Sequence, residues 1–405
     1  MKARVDDLAI FGGRPAFEEE LHVGRPNIGN RDRLSARLND LLDRRWLSND
    51  GPCVLEFEAA LAARLGVRNC VAVANATTGL QIAVRAAGLS GQVIVPSFTF
   101  IATPHALLWH GVTPIFCDID PRTHNLSPDR VEALITPEVT GIIGVHVWGR
   151  ACAVDELTEI ARRHGLTLLF DAAHALLCSH QGRMIGGFGR AEVLSFHATK
   201  FVNSFEGGAI VTDDDALAGR VRLMRNFGFT GYDEVRSLGT NGKMNEASAA
   251  MGLTSLESAD EFVAVNRRNY LAYWRRLGAT PGLEIVPYPE CEENNYQYVV
   301  MEVDHERVGL SRDQLQQLLF AENIVARRYF YPGCHRMEPY CSMRQYADLR
   351  LPATDAVASR VLCLPTGTGV GVDGVEAVCD VIDSAIRHGD EIARRLHPTE
   401  ANFIG

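Results

Sequence analysis

The sequence lacks any run of roughly 18 to 20 uninterrupted apolar residues, the length a membrane-spanning helix requires, so no membrane partner is expected. It also lacks a C-x-x-C pair. Its 10 cysteines are scattered over 405 residues, too sparse for a disulfide scaffold, and fit reduced thiols in a cytoplasmic protein. Basic stripes and polybasic tails are missing. The 40 Lys and Arg are interspersed with 50 Asp and Glu for a formal net charge of -10, which argues against nucleic acid as a partner. No Walker lysine loop occurs, and G-x-G-x-x-G is absent after the early strand-like runs, which removes the fingerprints of P-loop enzymes and Rossmann dehydrogenases. His146, His174 and His197 show no compact metal-ligand spacing, so no metal site and no zinc hydrolase is expected. The opening MKARVDDLAIFGG has no apolar core followed by a small-residue cleavage site, so no secretion signal is expected.

What is present is a large apolar share, 46% of 405 residues, enough for a large domain and a smaller one. Short apolar runs at Asn69–Ala74, Val93–Val95, Thr113–Cys117, Ile142–Val147, Leu166–Phe170, Val193–Phe196 and Ala209–Thr212 read as strands. Helical periodicity at Val54–Leu65, Thr78–Ala87, Ile101–Trp109 and Val154–His164 falls before or between them. That alternation predicts an α/β fold with mainly parallel strands covered on both faces and ligands at the strands' carboxyl ends. Three segments are expected: residues 1–50 packing on the large domain, a large domain over 51–255, and a smaller C-terminal domain over 256–405.

Several strand ends carry candidate chemistry. Asp171 directly follows the run Leu166–Phe170, where a carboxylate faces a crevice and needs a cationic or hydrogen-bonding partner. The protonated nitrogen of a pyridine ring is such a partner; capping a helix over Ala172–Ala175 is the plainer role. His174 could stack on the same ligand or serve as a satisfied core residue. Lys200 closes Ser195-Phe-His-Ala-Thr-Lys among aromatic and small residues, where lost hydration frees a neutral nucleophilic amine; most lysines are simply solvated. Asn75-Ala-Thr-Thr-Gly79 opens a helix, and Thr77 and Thr78 with free amides could seat a phosphate or merely cap the helix. Phe98 or Phe100 could cover an aromatic cofactor or belong to the core. The order of these parts, anion seat, aromatic cover, strand-end Asp and lysine, is what a phosphorylated pyridine aldehyde requires.

These segments, with Trp46-Leu-Ser48, Gly111–Asp118, His146-Val-Trp-Gly149, Glu206-Gly-Gly208 and Gly239-Thr-Asn-Gly-Lys-Met244, resemble the DegT/DnrJ/EryC1/StrS family of nucleotide-sugar aminotransferases, from about residue 20 nearly to the end. The resemblance implies a fold type I, aspartate-aminotransferase-like architecture and pyridoxal 5'-phosphate as cofactor, with pyridoxamine 5'-phosphate in the second half-reaction. It implies that Lys200 holds the cofactor as a Schiff base and moves the proton, that Asp171 pairs with the ring nitrogen, and that His174 lies beside the ring. Thr77, Thr78 and Ser195 would hold the phosphate, and Phe100 would cover the ring. Asn241 would reach the phosphate of a neighbouring subunit, making a homodimer with shared sites. Val23–Ile28 and the run ending at Met244 are most similar to the subgroup aminating dTDP-4-keto-6-deoxyglucose at C4 with L-glutamate as donor, as in natural-product deoxysugar pathways. C3 amination and a non-catalytic cofactor-binding regulator are the alternatives. A related dehydratase chemistry is disfavoured by Lys200 itself. Gly242 and Lys243 depart from the aromatic and arginine frequent in the family after this asparagine, and Ser204-Phe-Glu-Gly-Gly208 departs from its usual approach; both put the sugar pocket in doubt.

Overall fold

The computed structural model describes residues 2–396; Met1 and residues 397–405, the end of the expected smaller domain, lie outside the described residues. A seven-stranded sheet is built from β1 (Asn69–Val73), β2 (Gln92–Pro96), β3 (Thr113–Cys117), β4 (Val139–Val145), β5 (Thr167–Asp171), β6 (Ala191–Ser195) and β7 (Gly208–Thr212). Their order is β1-β7-β6-β5-β4-β2-β3. Every pair is parallel except those of β7, which runs antiparallel between β1 and β6.

The strands bury both faces, and the two-residue side-chain period assigns each residue to one of them. Val71, Val73, Val93, Val95, Ile143, Leu169 and Val193 point to one face. There they meet α3 (Ala76–Ala86), α4 (Ala102–Leu108) and α7 (Asp215–Arg225). Ala72, Ile94, Ile142, Leu168, Phe170 and Leu194 point to the other. That face is covered by α2 (Pro52–Leu65), α5 (Pro128–Ala133), α6 (Val154–His164) and α8 (Glu246–Glu257). In α6 the buried Val154, Leu157, Ile160 and Ala161 form one stripe, and Gly165 ends the helix at φ 64°, a left-handed value that suits glycine. Truncating a fully buried residue such as Leu61 to Ala would cost about 2–5 kcal/mol.

The chain then forms α9 (Ala259–Leu277) and a second, antiparallel sheet of β8 (Leu283–Ile285), β9 (Val299–Val303) and β10 (Val361–Leu364). α9, α10 (Arg312–Ala321) and α11 (Val372–Arg387) pack on it. This is the expected arrangement of a mainly parallel central sheet with a smaller α/β unit behind it. The N-terminal segment departs from expectation. The sequence reading laid residues 1–50 on the large unit, whereas Val5, Leu8 and Leu21 sit in the C-terminal core. Residues Leu21–His22 pair with Ile324–Val325, and that strand edge draws the segment away. The helix α1 (Arg31–Arg44) contacts α8 of the large unit. Among the described residues no helix is long and apolar enough to cross a membrane.

Candidate active site

Because β7 alone reverses direction, β1 and β6 run parallel to β2, β3, β4 and β5, so six carboxyl ends share one edge of the sheet. The residues at and after five of those ends surround a pocket of about 350 Å³. Asn75 to Thr77 follow β1, Thr99 and Phe100 follow β2, Val145 ends β4, Asp171 ends β5, and Ser195 ends β6. Lys200 lies in the turn beyond β6, and Tyr298, Tyr329 and Phe330 come from the C-terminal unit.

Asp171 is 5% exposed. Thr103 donates its hydroxyl to Oδ2 at 2.7 Å, and the Ala173 amide donates to Oδ1 at 3.1 Å. Burial pushes its carboxyl above the ordinary value; the two donors and the Lys200 charge oppose that push. No helix starts after it: Ala175 N–H bonds the Ala172 carbonyl and Cys178 N–H the Ala175 carbonyl, in successive turns. Asp171 is therefore not a helix cap, and a buried carboxylate on the pocket wall is suited to a cationic partner.

Lys200 is fixed through its amide, which donates to the His197 carbonyl at 2.8 Å. Its amine reaches Tyr298 Oη at 3.1 Å. Burial lowers the ammonium to about 8 against the opposing pull of Asp171, so about a tenth of the amine is neutral at pH 7, far more than for a solvated lysine.

His174 accepts the Trp148 amide at Nδ1, 3.3 Å, which leaves Nε2 as the protonated nitrogen of the neutral ring. Burial, then the Lys200 charge, hold it well below the ordinary imidazole value. Trp148 makes that bond from a left-handed backbone, φ 64°, which costs a non-glycine residue about 1–3 kcal/mol. Its indole compensates by donating to His124 Nδ1 at 3.0 Å and stacking at 16° on Phe330.

At the start of α3 the cap is Asn75, not a threonine: its side chain accepts the Thr78 amide at 2.8 Å. The amides of Ala76 and Thr77, in the first turn, have no intrahelical acceptor and lie beside Ser195 on the pocket wall, where such amides can hold an anion. The approach is close. A Cβ on Gly208 would stand 2.7 Å from the Ala76 nitrogen and 2.9 Å from the Leu194 carbonyl oxygen, so only glycine lets β7 pass the helix start.

Of the residues nominated from sequence, Thr77, Phe100, Asp171, His174, Ser195 and Lys200 line this one pocket; Thr78 and Asn241 do not. Thr78 is turned toward Gly242, and Asn241 is exposed in a bridge with Asn226. Phe98 belongs to the core at 0% exposure, while Phe100 is 58% exposed at the rim. Thr103, Trp148 and Tyr298 went unread. For Tyr298 a signal existed: the polar Asn294, Asn295 and Gln297 precede it, and β9 starts only at Val299. Elsewhere Ser97, His335 and Asp355 line up, with Ser97 Oγ 2.7 Å from His335 Nδ1 and Asp355 3.5 Å from Nε2. Ser97 is 0% exposed, and its oxygen also accepts the His335 amide, so the array ties two segments rather than meeting a substrate.

The model of the DegT/DnrJ/EryC1/StrS aminotransferase family matches residues 30–383. A dTDP-4-amino-4,6-dideoxy-D-glucose transaminase of Shigella dysenteriae is 34% identical over 366 residues, covering 90% of this chain and 99% of that protein. A GDP-perosamine synthase of Caulobacter vibrioides is also 34% identical, over 373 residues, covering 90% and 98%. Among solved structures, DesI in the presence of its TDP-sugar product has 51% identity and a TM-score of 0.93, covering 97% of this chain and 99% of that one.

Proposed function

The chain belongs to the DegT/DnrJ/EryC1/StrS aminotransferase family and is a pyridoxal-phosphate-dependent aminotransferase; on that premise we propose that it moves the amino group of L-glutamate to C4 of dTDP-4-keto-6-deoxy-D-glucose, giving dTDP-4-amino-4,6-dideoxy-D-glucose and 2-oxoglutarate. The similarity to the Shigella transaminase and to DesI over nearly the whole chain supports this substrate.

The residues fit the cofactor. The observation that carries this reading is one pocket holding a lysine lowered to about 8, a buried carboxylate and an uncapped pair of helix amides. Lys200 would hold the cofactor covalently, Asp171 would pair with its ring nitrogen, and His174 and Phe100 would contact its ring. The Ala76 and Thr77 amides with Ser195 would hold its phosphate. When bound, the cofactor supplies an electron sink for the charge left as a proton leaves the donor's Cα. Neutral Lys200 Nζ would take that proton from the donor's Cα and deliver it to the cofactor, and in the second half-reaction would carry a proton from the cofactor to the sugar carbon that receives the nitrogen. The pocket's apolar wall of Tyr298, Tyr329 and Phe330 limits water around the amine.

We infer a homodimer in which the exposed Asn241 turns toward the partner's phosphate seat. Asn241 lies outside its own pocket, which supports this placement.

The test is a spectral titration of the purified protein. A visible cofactor band bleached by L-glutamate and restored by the dTDP-4-keto sugar, with 4-amino sugar formed, establishes both half-reactions. Recovery only with a 3-keto or a GDP-linked sugar overturns the substrate while keeping the class. Binding of the cofactor without bleaching by any amino donor points to the regulatory alternative.

A further inference from the structure

Lys200 must be free of the cofactor for part of each cycle, and a free four-carbon amine has several rotamers. The hydroxyl near it is that of Tyr298, with Lys200 Nζ 3.1 Å from Oη and 5.7 Å from the ring centroid. We propose that Tyr298 is a catalytic residue of this enzyme, which receives the released Lys200 amine and holds it over the site in both its protonation states. The inference rests on the reading of Lys200 as the cofactor's lysine.

The ring is held more firmly than the lysine it meets. Tyr298 is 7% exposed and lies just before β9. Its amide donates to Tyr288 Oη at 3.3 Å, and the Tyr288 hydroxyl lies 2.9 Å from the Tyr298 carbonyl. Its ring packs on His174 at 4.5 Å, on Trp148 at 5.5 Å and on Tyr329 at 6.0 Å between centroids. Three aromatic neighbours and a backbone clamp leave the hydroxyl little freedom, so it is a fixed post for a flexible chain.

A hydroxyl suits that place better than a charged group. When Lys200 carries its proton, the ammonium donates to Oη; when the amine is neutral, the phenol donates its O–H to the nitrogen lone pair. Tyr298 follows the amine through proton uptake and release without ionising, since burial holds the phenol well above its ordinary value. A carboxylate there would lock Lys200 in the ammonium form and stop its attack on the cofactor. The other ionisable groups acting on Lys200 are Asp171, from β5, and His174, from the turn after it.

The ammonium bond is charge-assisted and stronger than the neutral one. Tyr298→Phe, which removes one oxygen, therefore makes the protonated state less favourable. In cofactor-free full-length protein, the pH midpoint for acetylation of Lys200, read by peptide mass spectrometry, should fall by about half to one pH unit. In the loaded enzyme kcat should fall about tenfold to a hundredfold, with the KM for the keto-sugar nearly unchanged. Tyr296→Phe, on the same segment but packed on Tyr270 and Tyr288, should leave the midpoint in place. Circular dichroism checks that each variant is folded, and Tyr298→Leu, which also removes the hydroxyl, serves if the phenylalanine variant is not. An unchanged midpoint in a folded Tyr298 variant overturns the proposal. Borohydride reduction of the loaded wild type separates the two failures: cofactor trapped on a lysine other than Lys200 overturns the underlying assignment, whatever Tyr298 does.

Discussion

At the floor of the pocket, Asp171 and His174 are buried, and each is gripped by groups from other turns or helices: Thr103 and Ala173 for the acid, Trp148 for the imidazole. At the rim, Phe100 and Arg327 are exposed. His197 and Glu206 meet there at only 3.5 Å, both largely in solvent. The floor has paid its ordering entropy before any ligand arrives; the rim has not. A group present in every turnover needs the first kind of wall, because a misplaced reacting atom is costly. A substrate that must enter and leave needs the second. The contrast puts chemical identity at the floor and sugar preference at the rim.

The sharpest way to break that division is at Lys200. Lys200→Ala should lower turnover by about four orders of magnitude while leaving the fold intact, and the protein should lose its covalently held cofactor band. Turnover within a few fold of wild type would mean that the floor does not carry the chemistry. Next in size is the pH dependence of cofactor uptake by cofactor-free protein. The proton on Nζ must leave before the amine attacks, so uptake should rise with pH and level off above about 8, where burial has set the midpoint. A solvated lysine would still be rising toward 10.5, and stopped-flow absorbance distinguishes the two curves.

Thr103→Val tests whether the support beneath Asp171 matters. It removes a hydrogen bond to a charged group, worth about 1.5–3 kcal/mol, so kcat should fall roughly tenfold to a hundredfold and rise again in Thr103→Ser. At the rim, Arg327→Ala should change the KM for the nucleotide sugar by about fivefold or less and leave the rate of cofactor uptake unaltered, because an exposed charge contributes about 1 kcal/mol at most. Steady-state kinetics that placed the larger loss at Arg327 would reverse the contrast.

The same division governs how much could be read from sequence. Strand ends were visible as apolar runs closed by a polar residue, and that pattern located Asp171 and the turn containing Lys200. It could also point to Thr77, because a helix opening after a strand places backbone amides at the sheet edge. The supports were not visible. Thr103 lies inside a short helix, one turn beyond the strand end that drew notice, and Tyr298 comes from 98 residues past the lysine it contacts. The first pairing depends on how α4 lies against β5 and the second on how the two sheets meet, neither of which periodicity encodes. The cap of α3, offered to threonine as the plainer alternative, falls to Asn75: Asn75, Thr77 and Thr78 all have suitable oxygens, and only the extended backbone at Asn75 selects among them. Only the first part of the N-terminal segment, through Leu21, departs from the expected packing, since α1 does lie on the large unit; the strand that draws it away, Ile324–Val325, is two residues long.

The backward course of β7 has a further consequence for how the molecule opens. The start of α3 hangs from β1 and the lysine turn from β6, and these strands touch only through β7. A ligand held by both ends therefore bridges β7 from outside. Breathing that frees β7 must separate the two grips, so binding free energy is added to the cost of that opening. Amides of Ala209 to Val211 should become the most slowed in hydrogen exchange when cofactor is added, although they lie inside the sheet and touch no part of it. The occupied site would act as a rivet across the strand that made it.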